Sequence, residues 1–158
     1  MSKVFSEENY PVRYFIGDVR DRNRVNRACM DIDIIVHAAA MKHVNAAEYN
    51  PTECIATNIL GAQNIIDAAI YNKTSHVIAL STDKAANPVN LMGGTKRIME
   101  KVLMKRSEDI PISTARFANV AFSDGSLLHG FNQRILKRQP LVAPKDVKRY
   151  FVTPEESG

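Results

Sequence analysis

Short apolar runs of strand length alternate along this chain with longer stretches whose apolar residues recur every three or four positions. The first pattern predicts extended segments at 13–16, 32–36, 77–80 and 112–117. The second predicts helices at 21–30, 51–72 and 94–106, and a further one marked by Leu128, Phe131 and Ile135. Within 51–72, Pro51 suits a first helical turn, and Ile55, Ile59, Ala62, Ile66 and Ala69 are spaced onto one face. Short extended pieces are also expected at 140–142 and 149–152. Strand, helix, strand units joined this closely call for a parallel sheet, because each right-handed crossover lays its helix over one side. The expected class is α/β, a doubly wound parallel sheet with helices on both faces.

At 158 residues the chain has room for one domain, and 45% apolar with 24% charged residues is an ordinary globular composition. Two cysteines, Cys29 and Cys54, point to buried reduced thiols and a cytoplasmic setting instead of a disulfide framework. No apolar run approaches the roughly 20 residues that span a bilayer. The net charge of +4 comes from basic residues that read as solvated helix faces, and without a reader motif or stacking platform nucleic acid is not an expected partner. The histidines and cysteines lack metal-ligand spacing, so no metal site is expected. At the end of the chain, Thr153, Pro154, Glu155 and Glu156 read as a helix opening, which predicts an internal piece of something longer.

In an open parallel sheet, ligands bind beyond the carboxyl ends of the strands. Four such ends stand out: Gly17-Asp18-Val19, His37-Ala38-Ala39-Ala40, Ser81-Thr82-Asp83-Lys84 and Ala118-Asn119-Val120. The alanines let a flat ligand approach the backbone, although they equally suit a helix packed on a sheet. The third end sets a hydroxyl, a carboxylate and an amine side by side, which an ordinary solvated turn also accommodates. Beyond it, Met92 and Lys96 stand four apart across a helix start, so Lys96 aims back at the same strand end.

These residues resemble the extended short-chain dehydrogenase/reductase superfamily, and within it the UDP-N-acetylglucosamine 4,6-dehydratases of the polysaccharide biosynthesis (CapD-like) group. The most specific stretch is Leu80-Ser81-Thr82-Asp83-Lys84-Ala85-Ala86-Asn87-Pro88. Supporting it are Gly17-Asp18-Val19-Arg20-Asp21, His37-Ala38-Ala39-Ala40-Met41-Lys42-His43-Val44, Glu48-Tyr49-Asn50-Pro51 and Thr57-Asn58. The resemblance implies a Rossmann-like fold, with 1–158 a partial NAD-binding domain and the nucleotide-sugar region starting at about 119. The implied reaction is an NAD (or NADP) cycle on a UDP-sugar: C4 is oxidised, water leaves across C5 and C6, and C6 is reduced. It further implies catalytic roles for Thr82, Asp83 and Lys84. Cofactor contacts would come from Asp18, Val19, Ala38, Ala39, Ala40, Asn58, Ser81 and Lys96, and substrate contacts from Lys42, His43, Glu48, Asn119 and Arg149. A homo-oligomer is implied for the full-length protein.

Elimination needs an acid at the C6 hydroxyl and a base at C5, and Asp83 and Lys84 are the candidates. Two departures from the superfamily pattern matter. Met92 stands where tyrosine is usual and has no proton to exchange, a feature shared by a subset of these dehydratases, so Thr82 becomes the expected contact to the C4 hydroxyl. No glycine-rich turn occurs upstream of Arg13, so the unit that binds the pyrophosphate is expected outside this chain, and the chain alone is expected to bind NAD poorly and lack activity. A 4-epimerase and a non-catalytic nucleotide-sugar module are the alternatives.

Overall fold

The computed structural model describes residues 12–143 and 145–157. Three strands, β1 (Ile34–His37), β2 (His76–Thr82) and β3 (Ile112–Phe117), form one parallel sheet in the order β1-β2-β3. The helix α1 (Arg22–Ala28) precedes β1. The first crossover runs through α2 (Val44–Tyr49), α3 (Pro51–Ile55) and α4 (Gly61–Tyr71), the second through α5 (Leu91–Arg106). After β3 come α6 (Leu127–Leu136) and α7 (Pro154–Ser157).

Local chemistry sets the boundaries. Asp21 accepts from Arg24 N at 3.0 Å and opens α1, while Pro51 occupies the first turn of α3. A π turn over Ala56–Leu60 joins α3 to α4 without breaking the rod, so the predicted 51–72 helix exists with one widened turn inside it. Asn90 accepts from Gly93 N at 2.9 Å, which starts α5 three residues before the predicted 94, because the Gly93-Gly94 pair hides helical spacing from the sequence.

Register pairs Ile35 with Val77 and Val77 with Ile112, so these side chains share a face. There they meet Ile66 and Ala69 of α4 and Met99 and Leu103 of α5 in one apolar cluster. Burying each large member is worth about 1.5–3 kcal/mol. Because the crossovers follow one another across the sheet in the same hand, both lay their helices on that face. The other face of β1 presents Ile34 and Val36 to solvent, so among the described residues the expected second helical layer does not cover it.

The predicted strand at 13–16 is not a strand. No described strand lies alongside it, and extended backbone becomes a strand only by sharing ladder hydrogen bonds. The 140–142 piece likewise stays irregular, and 149–152 contributes one isolated bridge, Val152 to Val120. The predicted strand at 77–80 runs longer, to Thr82, which puts Ser81 and Thr82 on the strand itself. No described helix is long and apolar enough to cross a membrane.

Candidate active site

At the carboxyl end of β2 the backbone tightens into a single 3₁₀ turn, Asp83–Ala85. Thr82 starts it by accepting from Lys84 N at 3.3 Å, while its own hydroxyl donates to Asp83 Oδ1 at 2.9 Å. Lys84 Nζ donates to the same Asp83 oxygen at 3.0 Å and to Asn119 Oδ1 at 2.9 Å. Asn119 in turn donates to Tyr150 O at 3.2 Å, tying the ends of β2 and β3 to the 149–152 segment. The first turn of α5 packs directly on this turn. A Cβ on Gly93 would lie 2.7 Å from Lys84 O, so only glycine lets the helix come so close.

Burial raises the Asp83 carboxyl, but hydrogen bonds from Lys84 and Thr82 outweigh it and hold the group below the usual carboxylate range. Asp83 is therefore ionised near neutral pH, and the Thr82 hydroxyl is already aimed at it.

Beside this turn lies a cavity of about 360 Å³. Of the predicted residues, Ala38, Ala40, Lys42, His43, Ser81, Thr82, Lys84, Lys96, Asn119 and Arg149 line it. Met92 lines it as well, one helical turn before Lys96. Lys96 Nζ donates to Leu80 O at 2.8 Å, so the side chain does aim at the β2 end. Burial pushes the Lys96 ammonium down from its ordinary range, partly opposed by the charge of Glu100.

Other predicted residues stand elsewhere. Asp83 is at the rim, facing a neighbouring hollow with Lys84, Asn119 and Arg149. Ala39 is exposed and does not line the cavity. Asp18 and Val19 border a separate hollow of about 170 Å³. There Asp18 is clasped by Arg20, whose hydrogen bonds lower its carboxyl to about 2. Glu48 accepts from Leu91 N at 2.8 Å and so props the start of α5.

Asn58 is fully buried in the π turn. It accepts from Met41 N at 2.8 Å and donates to Met41 O at 3.1 Å and Thr95 Oγ1 at 3.0 Å. With its amide engaged inside the protein, it fixes the backbone of the loop after β1.

Sequence reasoning missed the far wall of the cavity, Ser123 to Ser126. Lys42 Nζ donates to Asp124 O at 2.5 Å, and the His43 ring lies so close to Gly125, at φ +69°, that a Cβ there would be 2.0 Å from Cε1. The Ser-Asp-Gly-Ser composition signals a turn but not which strand end it folds over.

The residues implied for a dinucleotide can be tested against this cavity. The small Ala38 and Ala40 leave the cavity floor open, and Lys96 reaches it from α5. These residues fit the nicotinamide end, whereas the chain has no glycine-rich phosphate turn for the rest.

A family model described as polysaccharide biosynthesis protein matches residues 2–158. The UDP-N-acetylglucosamine 4,6-dehydratase (inverting) of Campylobacter jejuni subsp. jejuni serotype O:23/36 (strain 81-176) is 44% identical over 163 residues, covering 99% of this chain and 48% of that protein. A UDP-glucose 4-epimerase of Rickettsia bellii (strain OSU 85-389) is 41% identical over 138 residues, covering 84% of this chain and 40% of that protein. Among solved structures, the X-ray structure of Pen from Bacillus thuringiensis superposes with a TM-score of 0.91 at 36% identity, covering 99% of this chain and 51% of that one. The chain thus spans about half the length of the proteins it matches or less. Taken with the parallel sheet and the cluster at the end of β2, the matches place this chain in the polysaccharide biosynthesis protein family, within the extended short-chain dehydrogenases/reductases.

Proposed function

We propose that this chain is the central part of an NAD-dependent (or NADP-dependent) nucleotide-sugar 4,6-dehydratase acting on UDP-N-acetylglucosamine in surface-polysaccharide or nonulosonic-acid biosynthesis. The observation that carries the reading is the gathering of Thr82, Asp83 and Lys84 at one strand end beside the cavity that Lys96 enters. A bound nicotinamide would supply the hydride acceptor for C4 and the donor for C6.

The chain's own residues handle the protons. Thr82 takes the C4 hydroxyl proton while passing its own to Asp83, the group it already faces at 2.9 Å. Asp83, ionised beforehand, thereby becomes the acid that protonates the departing C6 oxygen. Lys84 is the base that removes the C5 proton and passes it to solvent. Asn119, which holds the Lys84 amine at 2.9 Å, orients that base. Lys96 and the loop after β1 orient the nicotinamide end, and Lys42, His43 and Arg149 border the sugar nucleotide. The relative named as inverting supports inversion at C5, for which the new C5 proton would come from a donor on the face opposite Lys84.

The epimerase-named relative supports a second reading, 4-epimerisation. Met92 in place of an exchangeable tyrosine and the adjoining Asp83-Lys84 pair favour elimination. The two differ in product. NMR of the intact protein with UDP-N-acetylglucosamine should show a 4-keto-6-deoxy sugar nucleotide; an epimer without loss of water would overturn the dehydratase reading. Thr82→Val should lower turnover by roughly 10²–10⁴-fold, the usual worth of a positioned proton-transfer group. Unchanged turnover would remove the relay.

A further inference from the structure

Behind the reactive turn a second cluster joins three elements. Glu100 of α5 is buried at 5% relative exposure, yet it is ionised and fully engaged. Ser81 Oγ donates to its Oε1 at 2.7 Å, and Arg116 of β3 grips it with two bonds, Nε to Oε1 at 2.8 Å and Nη2 to Oε2 at 2.6 Å. Ser81 and Arg116 are register partners on adjacent strands, so a single carboxylate spans the β2–β3 seam at its carboxyl end. One helical turn earlier, Lys96 grips Leu80 O at 2.8 Å. Thus α5 holds β2 at two successive residues, 80 and 81, immediately before Thr82.

We infer that Glu100 is a positioning residue, which through Ser81 and Arg116 fixes the last residues of β2 against α5 and so sets where Thr82 and Lys96 stand in the cavity. An ion pair with one partner buried and the other, Arg116, open to solvent is weak as a source of stability, since desolvation of Glu100 offsets much of the Coulombic gain, but its directional bonds specify one arrangement. An apolar residue would fill the space without aligning the strand end. The kinetic consequence rests on the dehydratase reading; the structural one does not.

The test has two arms on the intact protein. Amide hydrogen exchange is followed by NMR for Glu100→Gln and, should that variant fail to fold, for Ser81→Ala. Exchange at Thr82 and Phe117 should speed up at least tenfold while Val77 and Ile112 keep their protection. Turnover of UDP-N-acetylglucosamine should drop at least tenfold with KM within twofold, and Glu100→Asp should recover part of it. Unchanged exchange at Thr82, or equal loss of protection at Val77, overturns the inference, the latter by showing a merely structural role. Faster exchange confined to the strand end, in a protein that makes no 4-keto product even as wild type, leaves the positioning role standing and defeats the dehydratase reading.

Discussion

Helices α5 and α6 begin in the same way. Asn90 accepts from Gly93 N at 2.9 Å, and Ser126 accepts from His129 N at 3.3 Å. Both carry apolar residues at helical spacing. Yet α5 buries Met92, Met99 and Leu103 together with Lys96 and Glu100, whereas α6 buries no residue and leaves Ile135 and Leu136 exposed. A cap and a pattern suffice to start a helix, but what the helix contributes depends on the surface that receives it. For α5 that surface is the sheet and α4, and its charged residues reach the end of β2 because its apolar ones are locked below them.

The largest effect should come from breaking this asymmetry in the core. Met99→Ala opens space in a site with no solvent exposure and should cost about 2–5 kcal/mol in urea unfolding. Ile135→Ala, at an exposed position on α6, should stay within about 0.5 kcal/mol. Comparable losses at the two positions would mean that α6 packs on something that its exposure conceals.

The buried half should also carry its own acid sensitivity. His37, at the end of β1 and 3% exposed, is lowered to about 4 by burial first and by the nearby Lys96 charge second. In the unfolded chain this ring takes a proton near its ordinary value of 6.5, while in the folded one it does so only at about 4. The unfolded state therefore binds more protons between those values, and stability falls as pH is lowered through the window. Between pH 7 and 5 the loss should approach ~2 kcal/mol, above the range where Asp83 and Glu100 titrate. His37→Asn should flatten that slope; an unaltered slope would place the acid sensitivity outside the α5-covered half.

The same contrast explains what was legible in the residues. Ile112–Phe117 could be read to the residue because Pro111 stands just before it and the β-favouring Ile112 and Phe117 mark its ends, and the sheet then had only to accept it. The reactive turn was legible because hydroxyl, carboxylate and amine are contiguous there, so local backbone alone brings them together. The 13–16 segment was not, since a strand is defined by its neighbour. Nor was the wall formed by Ser123 to Ser126, which is placed by Lys42 and His43 from a loop some eighty positions earlier. Glu100 left a faint trace, standing four residues after Lys96 on the same helical face, but its partners Ser81 and Arg116 are set by strand register.

The smallest effect sharpens the comparison most, because it removes the one feature the two helices share. Loss of an N-cap side chain typically costs ~1 kcal/mol. Asn90→Ala should show that full amount in global unfolding, since α5 cannot fray without loosening Met92 and the packing of Gly93 on Lys84. Ser126→Ala should leave the global midpoint within about 0.3 kcal/mol and instead speed amide exchange along α6, because a helix that buries nothing opens locally before the domain does. If Ser126→Ala instead shifts the global midpoint as far as Asn90→Ala, α6 is coupled to the core, and its exposed apolar residues do not measure its independence.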